Sequence, residues 1–248
     1  MNKSKIEWLD GGYTWNPVTG CLHNCEYCYG EKIARRFGKP FTEEDNYRQD
    51  SYEGILITEY FTKTKSPFPN LFRPAFHSYR LGEPQGIKKP HNIFVCSMAD
   101  LFGEWVPDEW IKQVFEACEK APWHRYLFLT KNPERYNDIY SKMPSSNNFW
   151  FGTSKTIQDD EYIFSFRSCK TFLSIEPIHR NFDKRIYVDW VIIGAETGNR
   201  KGKVIPKREW IENIVRECRK HNVPVFMKDS LAKIWDEPLI QEYPWREK

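Results

Sequence analysis

Short apolar runs alternating with helical periodicity narrow the fold of this chain more than any other feature. "NIFVCS" (92–97) is followed by "PDEWIKQVFEACEKA", in which Trp110, Val114, Phe115 and Cys118 recur at helical spacing behind a Pro-Asp start. "YLFLT" (126–130) precedes "NPERYNDIYSKM", which reads as a helix with proline in its first turn. "FWFGTS" (149–154) leads to "IQDDEYIFSF", and "TFLSIEP" (171–177) to a shorter, less regular connection. "WVIIGAE" (190–196) leads to "PKREWIENIVRECRKHN", with Trp210, Ile211, Ile214, Val215 and Cys218 on one side, and "VPVFMK" (223–228) closes the series. Continuous apolar runs are what parallel strands covered on both faces look like. Their alternation with helices predicts βαβ units.

With a first strand near "TWNPVTG", the chain holds six to seven such strands. The fold expected is α/β, a partial or complete (β/α) barrel, with a doubly wound open sheet as the alternative. Residues 39–90 break the pattern. They are rich in proline and aromatics and hold one strand-like run, "GILITEYF". We read them as an insertion after the first helix that covers one barrel mouth as a lid or substrate-side segment. The whole of 1–248 then forms a single domain.

Composition limits the class further. A chain that is 40% apolar, with ten Trp, can build a large core. Its mean hydropathy is −0.70, and no apolar run approaches the ~20 residues that span a bilayer. "MNKSKIEWLDGG" lacks the apolar centre of a signal peptide, so the expected location is cytoplasmic, with no membrane partner. Seven cysteines are there better read as thiols and ligands than as disulfides. The formal net charge of +3 neither demands nor excludes nucleic acid. The basic clusters "RNFDKR" and "NRKGKVIPKR" read as solvated loops.

Three of the cysteines, Cys21, Cys25 and Cys28, fall in "GCLHNCEYCY", directly before the helical "GEKIARRF". Structural zinc takes four protein ligands. His23 would form a very tight chelate, and Cys96, Cys118, Cys169 and Cys218 stand alone in the sequence. Cys118 and Cys218 lie on apolar helix faces, where a buried small hydrophobe is expected. An iron–sulfur cluster is the other candidate, and with three thiolates one of its irons has no protein ligand.

Spacing of three residues and then two, with Tyr27 before the last cysteine, resembles the cysteine motif of the radical S-adenosylmethionine (SAM) superfamily. "IEWLDGGYTWNPVTGC", "FHSYRLGEP", "IFVCSMADLFGEWVP", "FLTKNPERY", "FWFGTS", "LSIEPI" and "WVIIGAETG" together resemble its bacteriophage-protein branch, over about Ile6 to Lys228. That branch often carries Gly-Gly-Glu-Ser-Gly where this chain has Gly194-Ala195-Glu196-Thr197-Gly198, which keeps the glutamate. The resemblance implies a [4Fe-4S] cluster on Cys21, Cys25 and Cys28 whose fourth iron is chelated by SAM. It also implies reductive cleavage of SAM to methionine and a 5′-deoxyadenosyl radical. An electron donor such as flavodoxin or ferredoxin would supply the electron, and a small three-cysteine-motif protein is a further implied partner.

Functional groups of β/α barrels sit at the C-terminal ends of the strands. The strand exits here offer Ser97 and Asp100, Thr130 and Lys131, Thr153, Ser154 and Lys155, Ser174 and Glu176, Glu196, and Lys228 and Asp229. Charge suggests roles: Ser97 and Asp100 for the SAM ammonium; Lys131, Ser154 and Lys155 for its carboxylate. Ser174 and Glu176 suit the ribose, Tyr27 and the "IIGAE" turn the adenine, and Glu196 and Lys228 the substrate. His77 and Arg80 are candidates for the substrate side of the mouth, whereas Trp8 and Trp15 read as core. His124 and His221 fall near helix ends, where capping accounts for them.

The function expected is that of a radical SAM enzyme acting on an unidentified substrate, with nucleic acid or a nucleotide as one class. A zinc-stabilised nucleic-acid-binding protein and a catalytically silent iron–sulfur protein are the alternatives.

Overall fold

The computed structural model describes residues 1–40, 42, 44–155 and 169–246. In chain order its elements are β1 (Asn2–Lys3), β2 (Tyr13–Trp15), β3 (Val18–Thr19), α1 (Tyr29–Phe37), β4 (Tyr47–Tyr52), β5 (Ile55–Tyr60), β6 (Ala75–His77) and β7 (Asn92–Val95). There follow α2 (Asp108–Glu119), β8 (Arg125–Thr130), α3 (Arg135–Asp138), β9 (Phe149–Ser154), β10 (Lys170–Ile175), β11 (Trp190–Ile193), α4 (Arg208–Lys220), β12 (Val225–Met227) and α5 (Ala232–Trp235). The fold is mixed α/β, built on an eight-stranded sheet of order β1-β2-β7-β8-β9-β10-β11-β12. All neighbours in it are parallel except β1, which runs antiparallel to β2. No helix among the described residues is long and apolar enough to cross a membrane.

The sheet curls. Adjacent strands lie about 4.8 Å apart, so β7 and β11 would be roughly 19 Å apart if it were flat. Yet the ring of Trp8 lies 4.9 Å from Phe94 on β7, 6.2 Å from Phe172 on β10 and 6.3 Å from Trp190 on β11. Side chains of one parity (Leu127, Trp150, Phe172, Trp190, Ile192 and Phe226) form a cluster around Trp8 and Leu9. The other parity packs outward: Tyr126, Phe128, Phe149 and Phe151 join α2, and Leu173, Val191, Ile193 and Val225 join α4.

Of the two barrel forms expected, the complete one is not present. The free edge of β2, where β12 would close the ring, is occupied by β1. The outer edge of β12 takes the C-terminal segment instead, through the Phe226–Gln241 bridge and the bonds Met227 N–H to Ile240 O (2.7 Å) and Glu242 N–H to Val225 O (2.9 Å). Tyr243 Oη then donates to Glu7 O at 3.0 Å, tying this segment to the one that carries Trp8.

Residues 39–90 hold three strands rather than one. With β3 they form a second sheet of order β3-β6-β5-β4. β4 and β5 are joined across Glu53-Gly54, both at positive φ (50° and 80°), as a tight hairpin turn requires. The helix expected over "NPERYNDIYSKM" is shorter. α3 stops at Asp138, Ile139 leaves helical geometry (φ −103°, ψ 6°), and a 3₁₀ turn covers Tyr140–Lys142. Asn137 and Asp138 are weak helix formers, consistent with the break. The helix expected in "IQDDEYIFSF" lies outside the described residues.

Candidate metal centre and cofactor cavity

Gly20 turns the chain from β3 into the cysteine loop. Its φ is +85°, and a Cβ there would lie 2.1 Å from Arg73 O, so only glycine fits. Gly20 N–H donates to Met98 O (2.9 Å) and Cys21 N–H to Phe72 O (3.1 Å), pinning the loop to the segment after β7 and to the second sheet. Cys28 caps α1, with its Sγ accepting from Glu31 N–H at 3.4 Å. Cys21, Cys25 and Cys28 are half-buried, whereas Cys96, Cys118, Cys169 and Cys218 are buried. Burial pushes the Cys21 thiol up to about 12. Burial also raises Cys25, against the opposing pull of Lys131.

The three cysteines open onto a cavity of about 1150 Å³ at the C-terminal ends of the parallel strands. Tyr27, Ser97, Asp100, Thr130, Lys131, Ser154, Ser174, Glu176, Glu196 and Lys228 line the same cavity, so the structure brings most of the expected strand-exit residues together with the three cysteines. Strand parity accounts for most of the residues from β8, β9 and β10, although Thr130, of the opposite parity to Lys131, also reaches the cavity. Leu127, Leu129 and Lys131 share a face, as do Trp150, Gly152 and Ser154, and Phe172, Ser174 and Glu176. Aromatics fill the interior below, and small or polar residues of the same parity leave it open above. Thr153 and Lys155 have the opposite parity and do not line the cavity, nor does Asp229. Arg80 lines it; His77 does not, being fully buried with Nε2 2.9 Å from Thr19 Oγ1.

Within the cavity Asp100 is 4% exposed and already furnished with donors. Its Oδ2 accepts from His23 Nε2 (2.7 Å), Thr130 Oγ1 (2.9 Å) and Lys131 N–H (2.8 Å), and its Oδ1 from Phe102 N–H (3.0 Å). His23, set edge-on to Trp105 at 4.9 Å, therefore ties the cysteine loop to the exits of β7 and β8. The visible work of this carboxylate is to hold the loop.

Ser97 Oγ donates to Asn16 Oδ1 (3.2 Å), which also accepts from Met98 N–H (3.0 Å). Sequence reasoning missed Asn16, although it lies in the "TWNPVTG" run. Lys131 Nζ donates to Ser154 Oγ at 2.8 Å and stands 5.6 Å from the Tyr27 ring centre. Glu176, whose peptide bond to Pro177 is cis, pairs with Lys228. Gly194 leaves room for the pair, since a Cβ there would lie 3.1 Å from Lys228 Cδ and 3.3 Å from Glu176 Cδ. Glu196 receives Arg200 through both oxygens (2.7 and 2.8 Å), and this pairing lowers its carboxyl below the usual range. Arg200 reaches on to Glu26 in the cysteine loop at 3.1 Å.

Glu176 gives a direct test. Were the ribose of a bound SAM to lie against Glu176, Glu176→Gln would weaken SAM binding about 10- to 100-fold, the loss of a charge-assisted hydrogen bond, with iron content unchanged. Were the carboxylate only an anchor for Lys228, SAM titration would show unchanged affinity, and melting without SAM would show lowered stability.

Among the described residues no group of three or more His, Cys, Asp or Glu is placed to hold a single metal ion. A cuboidal cluster takes each thiolate on a different iron, so its ligands need not converge on one point. Three half-buried thiols facing a roomy cavity, one already accepting a backbone N–H bond, fit that group.

Fold and site thus define a mixed α/β protein with a cysteine-lined cavity at the carboxyl ends of its parallel strands. The chain belongs to the DUF5131 family, described as "Protein of unknown function", whose family model matches residues 3–235. No curated protein and no solved structure matches the chain.

Proposed function

We propose that this protein is a radical SAM enzyme built on a partial (β/α) barrel. Its [4Fe-4S] cluster is held by Cys21, Cys25 and Cys28, and its SAM by the strand exits. The observation that carries this reading is the convergence of the three thiols with strand-end and loop side chains on one cavity. Bound cluster and SAM supply reductive cleavage of the sulfonium to methionine and a 5′-deoxyadenosyl radical, the electron coming from a donor such as flavodoxin or ferredoxin.

The chain's own residues bind and orient. Lys131, steadied by Ser154, offers a cation to the methionine carboxylate. Ser97, held by Asn16, lies on the side assigned to the ammonium. Ser174 and Glu176 offer acceptors for the ribose. Asp100 acts through His23 and Lys131, fixing the cysteine loop against the strand exits rather than touching SAM. Phe68 and Phe72 on the second-sheet side add apolar wall, which reduces water access to the reacting groups.

SAM binding at the cluster is tested by electron paramagnetic resonance of the dithionite-reduced, reconstituted protein. Saturating SAM is expected to change the spectrum, because ligation of the iron that lacks a protein ligand alters the cluster's electronic structure. An unchanged spectrum contradicts an open iron.

A further inference from the structure

The charges lining the cavity do not balance. Of its carboxylates, Asp100 is held by four protein donors, Glu176 by Lys228 and Glu196 by Arg200. Of its cations, Lys65 is paired with Glu44 and Lys228 with Glu176. Lys63, Arg80 and Lys131 line the cavity too, and among the described residues none has a carboxylate within ion-pair distance. Arg80 spends one guanidinium nitrogen on Asn16 O (2.9 Å) and another on Tyr79 Oη (3.1 Å), both neutral acceptors. Glu83 is paired with the Met1 ammonium at 2.7 Å, and counting Asp100, whose hydroxyl and backbone donors carry no charge, as a full negative charge still leaves positive charge in excess.

The proposed cofactors do not remove that excess. A resting cluster on three thiolates is a net anion and SAM a net cation, so together they nearly cancel. Space points the same way. Small-molecule pockets run from roughly 300 to 1,000 Å³, and this cavity, at about 1150 Å³, lies above that range. The part beyond the strand exits is walled by the second-sheet segment, which contributes Lys63 and Phe72, and by Tyr29 of α1, a residue 53% exposed whose hydroxyl donates to Ser97 O at 2.8 Å. Cations and part-exposed aromatics lining one cavity suit a ligand that combines phosphate with a planar ring.

Resting on the radical SAM reading for the identity of the first ligand, we propose that the remaining space takes a nucleotide, free or within a polynucleotide strand. Its phosphate is drawn to Lys63 and Arg80, and its ring lies against Tyr29 and Phe72.

The test uses reconstituted full-length protein saturated with SAM, so that the adenosine subsite is filled. Three probes are titrated: cytidine, cytidine 5′-monophosphate and a fluorescent single-stranded oligothymidylate. Lys63→Glu, Arg80→Gln and the charge control Lys184→Glu are compared with the parent; Lys184 is exposed and does not line the cavity. A phosphate-bearing probe is expected to bind at least about tenfold more tightly than cytidine, with Lys63→Glu removing about tenfold or more and Lys184→Glu removing none. If the source is a strand, the oligonucleotide binds more tightly than the monophosphate, and Lys63→Glu lowers its salt slope by about one. If it is a free nucleotide, the oligonucleotide has no advantage.

Failure of both phosphate probes to bind at millimolar concentration overturns the proposal. So does equal binding of cytidine, parent-like binding by both Lys63→Glu and Arg80→Gln, or an equal loss in Lys184→Glu. Iron content and the SAM-induced spectral change are read on the same samples. Their loss with nucleotide binding retained contradicts the radical SAM reading and leaves the phosphate site standing. The reverse pattern removes only the phosphate site.

Discussion

Under the proposed function, Cys21→Ala, Cys25→Ala and Cys28→Ala are each expected to abolish cluster binding, and the parent reconstituted without oxygen is expected to hold about four irons per chain. An all-or-none effect is expected because each substitution would remove one of the three proposed protein ligands. Cys118 and Cys218 serve as controls. Both are fully buried residues of α2 and α4 in the outer core, and their replacement by alanine is expected to leave iron content unchanged. Iron and sulfide analysis of the five variants reads the result. Full iron loading in any one of the three loop variants would remove that cysteine from the ligand set.

Asp100→Ala produces the largest loss of stability expected at the site. It strands four donors, two of them backbone N–H groups, around a buried carboxylate position. Breaking a buried, hydrogen-bonded charge network of this kind costs about 3–5 kcal/mol. For a chain of this size 3 kcal/mol lowers the melting temperature by roughly 6–12 °C. If the loop holds the proposed cluster, iron content is expected to fall as well, because His23 loses its tie and the cysteine loop is no longer held to Lys131. Thermal unfolding and iron analysis of the same preparation check both parts. An unchanged melting temperature would show that the network is not the loop's anchor.

Much of the parallel sheet was legible because its strands are covered on both faces and read as unbroken apolar runs: "WVII" and "TFLSI" are buried throughout. The site was legible for a related reason. A two-residue period carries the inward face of each run on to the polar residue beyond it, from Leu129 to Lys131 and from Phe172 through Ser174 to Glu176. The same rule, applied to Thr153 and Lys155, would have turned them away from the cavity.

The second sheet was only partly visible. Its outer strand β4, "YRQDSY", exposes its four central residues and has no apolar face for a pattern to mark. Asp100 could be named from its place after β7 but not assigned its work, because its donors come from the cysteine loop, its own loop and the exit of β8. Lys63 gave no signal at all. It belongs to no strand run or motif, and only the packing of the second sheet beside α1 puts it on the cavity wall. Closure of the barrel was equally out of reach, since the competition between β1 and β12 for the edge of β2 involves strands of two and three residues.

The central claim is that the three thiols and the strand exits serve one reductive cleavage of SAM. Anaerobic incubation of the reconstituted protein with SAM and dithionite, followed by chromatography for 5′-deoxyadenosine and methionine, tests it most directly. The account predicts that both products appear with the parent protein and that neither appears with Cys25→Ala. A parent protein that holds a full cluster yet releases no 5′-deoxyadenosine, or one that takes up zinc and refuses iron, would contradict it.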